Sequence, residues 1–165
     1  MDSQQPHTPF RPEPRDFPGH PMPFSVPEGL RLELSRSRIR EGQEDGFDEW
    51  IQVLHERYDE ALESIPAERA VFDATFRHRE ADGATWIYHL SLMGPGTGLD
   101  EQLPIGAKHA AYSCRVKEPG WEELEPMFML TPEHLRDAMV HFGATGQPPP
   151  KPPADPSDPT DPAHA

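Results

Sequence analysis

Residues 70–93 read AVFDATFRHREADGATWIYHLSLM. Two alternating runs flank the pair Asp82-Gly83, and Asp-Gly suits the two left-handed positions of a tight hairpin turn. In the first run, Ala70 to Glu80, residues Val71, Asp73, Thr75 and Arg77 share one face. Phe72, Ala74, Phe76 and His78 share the other. In the second run, Thr85 to Met93, the faces are Trp86, Tyr88, Leu90, Leu92 and Ile87, His89, Ser91, Met93. A period of two is that of a strand. Both faces of the second run are largely apolar, so the strand is expected to be covered on both sides.

Upstream, Leu30, Leu32 and Leu34 alternate with Arg31, Glu33 and Ser35, predicting a strand that runs to Ile39 and stops at Glu41-Gly42. The period then changes. Phe47, Trp50, Ile51, Leu54, Tyr58, Ala61, Leu62 and Ile65 recur at three and four, which predicts one amphipathic helix of about 22 residues ended by Pro66. Downstream, Gly94-Pro95-Gly96-Thr97-Gly98 breaks the chain. Pro104 to Val116 reads as a second helix, and Met127 to Leu130 as a short fourth strand. Thr131-Pro132-Glu133 opens a last helix, with Thr131 as N-cap, and Gly143 is expected to close it.

The order is β-α-β-β-α-β plus a C-terminal helix. This is an α+β class chain with the ferredoxin-like split unit. Two helices cannot cover Trp86, Tyr88, Phe72 and Phe76 as well as their own face, so sheet-to-sheet packing into a homodimer is expected.

The chain has 165 residues, of which 22 are proline. Eight prolines fall in residues 1–27 and eight in residues 147–165, so both segments read as proline-rich disordered arms around one domain at 28–146. The N-terminal arm has the alternative of docking Phe24 and Val26 on the domain or on a partner subunit. Lys and Arg total 15 against 29 Asp and Glu, a formal charge of −14. Such a surface repels phosphate backbones and anionic lipid, which argues against nucleic acid and membrane as partners. Cys114 is the sole cysteine, so no internal disulfide forms. No signal peptide or apolar span is evident, and a cytoplasmic location is expected.

Three local strings carry a resemblance. Ile39-Arg40-Glu41-Gly42-Gln43 leads into Phe47 and Trp50; the Asp82-Gly83 turn precedes Trp86-Ile87-Tyr88; Leu103-Pro104-Ile105 precedes Lys108-His109. With the element order, they make residues 30–143 resemble a family of short bacterial proteins of unassigned function. The resemblance implies the dimeric α/β barrel. That architecture is similar, at fold level, to antibiotic-biosynthesis monooxygenases, sugar mutarotases, lactone isomerases and haem-degrading enzymes. It implies a pocket between sheet and helices in each subunit. Fold alone does not carry chemistry, and no catalytic set transfers with it.

Histidine is the side chain best suited to acid–base work near neutrality. Six lie in the core segment, and His89 and His109 are the candidate catalytic residues. His89 sits mid-strand among apolar neighbours, where a polar ring needs a partner. His109 shares a helical face with Tyr112 and matches the family position. Trp50, His55, Tyr58, Tyr88 and Tyr112 are candidate substrate contacts. Arg36, with Arg38, Arg77 and Arg79, is a candidate holder of a carboxylate or enolate. Each has a bland alternative: a satisfied core histidine, an aromatic core stripe, or arginines paired with the abundant Asp and Glu. No metal-ligand spacing occurs, and no nucleotide, flavin or haem motif, so neither metal nor cofactor is expected. The expectation is a cofactor-independent enzyme of isomerase, cyclase or monooxygenase type, acting on a small hydrophobic, aromatic or polyketide-like compound. The alternative is a non-catalytic ligand-binding or accessory protein.

Overall fold

A computed structural model describes residues 19–96 and 98–151. The rest of the two proline-rich arms lies outside the described residues, as does Thr97 in the glycine loop. Eight elements follow in order: β1 (Arg31–Arg38), α1 (Glu44–Glu56), α2 (Tyr58–Glu68), β2 (Ala70–Arg79), β3 (Thr85–Met93), α3 (Pro104–Val116), β4 (Glu122–Leu124) and α4 (Glu133–Thr145). The chain is α+β, with one four-stranded antiparallel sheet in the order β2-β3-β1-β4.

The hairpin registers as its alternation requires. Thr75 lies opposite His89, Phe76 opposite Tyr88 and Asp73 opposite Ser91. On the other side of β3, Ser35 faces His89 and Glu33 faces Ser91. Gly83 takes φ 85° in the turn, which its missing side chain permits. Residue parity therefore sorts the sheet into two faces. Ile39, Ile87, His89 and Ser91 lie on the face beneath α1 and α3, where Ile39, Phe47, Trp50, Ile87 and Val116 form a buried cluster. Each such side chain contributes about 1.5–3 kcal/mol. The outer face carries Leu34, Arg36, Tyr88, Leu90 and Phe76. One end of that face is covered by the chain itself. Val26, Leu30 and Leu92 are buried there under Met22, Met129, Met139 and Val140. The folded body thus takes in Met22 and Val26 from the proline-rich arm, while Phe24 between them stays 94% exposed.

Four expectations change. The long first helix is two helices, broken at Arg57, whose guanidinium clamps Glu60. Beyond the break Tyr58 and Leu62 come out 61% and 53% exposed, so the apolar stripe does not stay on the sheet. Pro66 lies inside α2 rather than ending it. A proline this near a helix end costs one backbone bond, and the exit is made by Arg69 in the left-handed region. The fourth strand is Glu122–Leu124, not Met127–Leu130. It is held to β1 by ion pairs, Arg36 to Glu122 at 2.6 Å and Arg31 to Glu123, so it leaves no apolar period to read. Lastly, Pro132 rather than Thr131 caps α4, and Gly146 rather than Gly143 closes it. Gly143 is instead packed against Gly94, close enough that a Cβ on Gly94 would lie 1.9 Å from the Gly143 carbonyl oxygen.

Candidate functional site

The helix-covered face of the sheet is polar at its centre. Two neighbouring rows cross β1, β3 and β2: Ser35, His89, Thr75, and then Glu33, Ser91, Asp73. Strands lie about 4.8 Å apart, so each row sets three side chains within reach of one small molecule. His89 Nε2 lies 3.6 Å from Asp73 Oδ1, diagonally across the hairpin. The two side chains remain 35% and 34% open to solvent, which leaves the pair accessible to a ligand. Ser91 beside them is fully buried, and its Oγ has no hydrogen-bond partner among the described residues.

The roof comes from α1 and α3. His109 on α3 sets its ring edge-on to Trp50 of α1, with centroids 4.7 Å apart and an interplanar angle of 76°. Trp50 is 4% exposed and is itself fixed by Phe47 on one side and by Tyr112, stacked at 6.2 Å, on another. The indole Nε1 is buried with no partner among the described residues. Lys117 follows α3. Its backbone bridges Ile39, which puts its side chain on the helix-covered face, and its Nζ lies 5.4 Å from the Trp50 ring centroid.

These surroundings set the charges. Burial, reinforced by Glu68 and Glu33, pushes the Asp73 carboxyl up to about 7. Burial lowers His89, and the Lys117 charge adds to that. His109 is pushed down to about 3, first by burial, then by Lys117 and by His89. Lys117 is lowered by burial. Near neutrality the site therefore holds two neutral imidazoles beside a carboxyl that exchanges its proton in the working range. A neutral imidazole can accept a proton at one nitrogen and donate from the other. That combination can take a proton from one atom of a bound molecule and return it to another.

Of the residues singled out from sequence, the structure gathers His89, His109 and Trp50 in one place. Tyr112 stands behind Trp50, and its hydroxyl donates to Glu49 at 3.0 Å. His55 and Tyr58 are at the surface. Tyr88 and Arg36 lie on the opposite face of the sheet, where the arginine bonds Glu122 at 2.6 Å and lies over the Trp86 ring at 4.2 Å. Arg38 faces Glu118 and Arg77 pairs with Asp48, so these arginines are satisfied by carboxylates of the chain. His78 is opposite Trp86 and so is on the far face from His89. Asp73, Glu33 and Lys117 were not singled out. The hairpin phase did place Asp73 on one face, but its link to His89 needs the register. Lys117 gave no signal, because its role depends on where the end of α3 lands. Among the described residues no three His, Cys, Asp or Glu side chains are placed to hold a metal ion, and no helix is long and apolar enough to cross a membrane.

The chain belongs to a family of unknown function (DUF6176), whose description matches residues 30–137. No curated protein and no solved structure matches it.

Proposed function

We propose that the chain is a small-molecule enzyme of the dimeric α/β-barrel type that moves protons without a cofactor. Its reaction is of isomerase, cyclase or monooxygenase type on an aromatic or polyketide-like compound. His89, facing Asp73, carries the proton, and His109 orients the substrate through a neutral ring nitrogen. The observation that carries this reading is the Asp73–His89 pair at 3.6 Å, open to solvent on the polar face beneath α1 and α3. A general base must reach its proton directly or through one water, and both groups have that access. Trp50 supplies an aromatic wall beside His109.

The finer architecture belongs to the same reading. An antiparallel sheet ordered β2-β3-β1-β4, with helices between β1 and β2 and between β3 and β4, supports the ferredoxin-like split unit. On the outer face Phe76 is 54% and Leu124 38% exposed, beside Leu34 and Leu90, which supports sheet-to-sheet pairing of two copies. Distant kinship with antibiotic-biosynthesis monooxygenases and sugar mutarotases is part of this proposal, and it rests on element order alone.

The test is hydrogen exchange. The protein is incubated in D2O with enolisable aromatic 1,3-diketones, and deuterium uptake at the acidic carbon is followed by proton NMR. Uptake above the buffer rate is expected, with a loss of about 100-fold in His89→Ala and in Asp73→Asn while the fold is kept. Binding without exchange would overturn catalysis in favour of a ligand-binding protein. Neither binding nor exchange would overturn both.

A further inference from the structure

Lys117 differs from three arginines near this site. Arg31 and Arg77 on this sheet face, and Arg115 on α3, each face a carboxylate of the chain within 4 Å. Lys117 is half-buried, and among the described residues its ammonium has the Trp50 ring for company and no carboxylate at ion-pair distance. Removing an ammonium from water costs free energy that a ring face offsets in part. An anion supplied from outside offsets the rest.

Its placement also gives the site a direction. Lys117 enters from the Ile39 end of the sheet, and the row Glu33, Ser91, Asp73 lies toward the other end of the same face. Between them are His89 and His109, both of which feel the Lys117 charge. The face is thus positive at the Lys117 end and neutral in the middle; its other end carries Asp73 beside Glu33, whose carboxylate is paired with Arg31 at 3.9 Å. A ligand with one anionic group has a single favourable orientation there: the anion at Lys117, the remainder over His89 and Asp73.

We propose that Lys117 is the anion-binding group of the site and that its ligands carry a carboxylate, or form an enolate, beside the carbon that is deprotonated. The inference rests on the acid–base reading above. In the enolate case the C–H bond breaks, its proton goes to the His89 imidazole, and the electron pair becomes the enolate C=C. The negative charge settles on oxygen against the Lys117 ammonium. Reprotonation at a second carbon returns the proton and releases an isomer, so no other reactant is consumed. Asp73 faces the ligand from β2 and disfavours the reversed pose, and Glu68 of α2 adds to it, while Glu33 of β1 is paired with Arg31.

The probes are salicylate and the neutral salicylamide, compared by isothermal titration calorimetry on the full chain at pH 7. Wild type is expected to bind salicylate about tenfold more tightly or better, the scale of one charge-assisted contact. Lys117→Met removes that preference by weakening salicylate, leaves salicylamide within about twofold, and raises the pKa of His89 and His109 in an NMR titration. Lys117→Arg keeps the preference. The preference also fades as pH rises, because Asp73 ionises on this face near 7 and the lowered Lys117 loses its proton; the fade that remains in Asp73→Asn is the part that Lys117 carries. Equal affinity for the two probes, or a preference that survives Lys117→Met, overturns the inference while the acid–base reading stands. Failure of both probes to bind wild type overturns small-molecule binding at this site, and the inference with it.

Discussion

Asp73 Oδ1 and His89 Nε2 lie 3.6 Å apart on the two strands of one hairpin, on the sheet face roofed by α1 and α3. Neither strand alone makes the pair. The turn at Asp82-Gly83 sets a register in which Thr75 opposes His89, and Asp73 then reaches it on the diagonal. A carboxyl raised to about 7 thus lies beside an imidazole lowered from its ordinary value, each shifted first by burial.

Asp73→Asn is expected to stabilise the protein at alkaline pH. The folded-state pKa of about 7 stands above the ordinary value of 3.8, so the folded state holds this proton more tightly than the unfolded chain. Stability is lost as pH rises from about 4 to 7, and the cost is constant above that. With a third of the side chain in solvent, the gain at pH 8 is about 1–2 kcal/mol, and it vanishes near pH 4. Guanidinium unfolding at a series of pH values checks it; a difference that grows toward acid would refute the assignment.

His109→Phe is expected to flatten the acid limb of the stability profile. The folded-state pKa of about 3 lies below the ordinary value of 6.5. The unfolded chain binds a proton between those values and the folded protein does not, so stability falls as pH drops from 6.5 toward 3. The wild type is expected to lose about 3 kcal/mol through this group by pH 4, a loss absent in the variant. Thermal unfolding of both proteins between pH 4 and pH 7 measures the divergence.

Gly94→Ala is expected to loosen α4. Its Cβ would fall 1.9 Å from the Gly143 carbonyl oxygen, a backbone atom that cannot swing aside. The overlap costs about 1–3 kcal/mol. Amide exchange should show α4 losing protection while the β2-β3 hairpin keeps it.

Phe76→Arg is expected to give a folded monomer. The side chain is 54% exposed on the outer sheet face, and the proposed partner copy would cover it. A charge there is left unpaired on assembly. Sedimentation should move from about 37 kDa, twice 18.6 kDa, to the mass of one chain, with an unchanged circular dichroism spectrum. A wild type that already sediments at 18.6 kDa would remove the dimer.

Local pattern was legible wherever apolar residues carried it. The strand Thr85–Met93 and the helix Pro104–Val116 have the bounds that alternation, and a proline at the first turn, assign to them. The faces of the hairpin follow from its turn, so His89 and Asp73 were each on a known side. What was missed has one physical cause in common: it depends on contacts between residues far apart in the chain. The strand Glu122–Leu124 exists because arginines of β1 meet its glutamates. The break at Arg57 turns Tyr58 away from the site, whereas the alternation within β3 already set Tyr88 on the face opposite His89. Amino-acid order by itself determined the α+β class, the hairpin and which side chains share a strand face, because these follow from periods of two and 3.6 within single segments. Tertiary structure alone decided that Asp73 meets His89, that His109 rests on Trp50 and that Lys117 stands without a carboxylate at ion-pair distance among the described residues, because burial and charge pairing are properties of surroundings that no single segment contains.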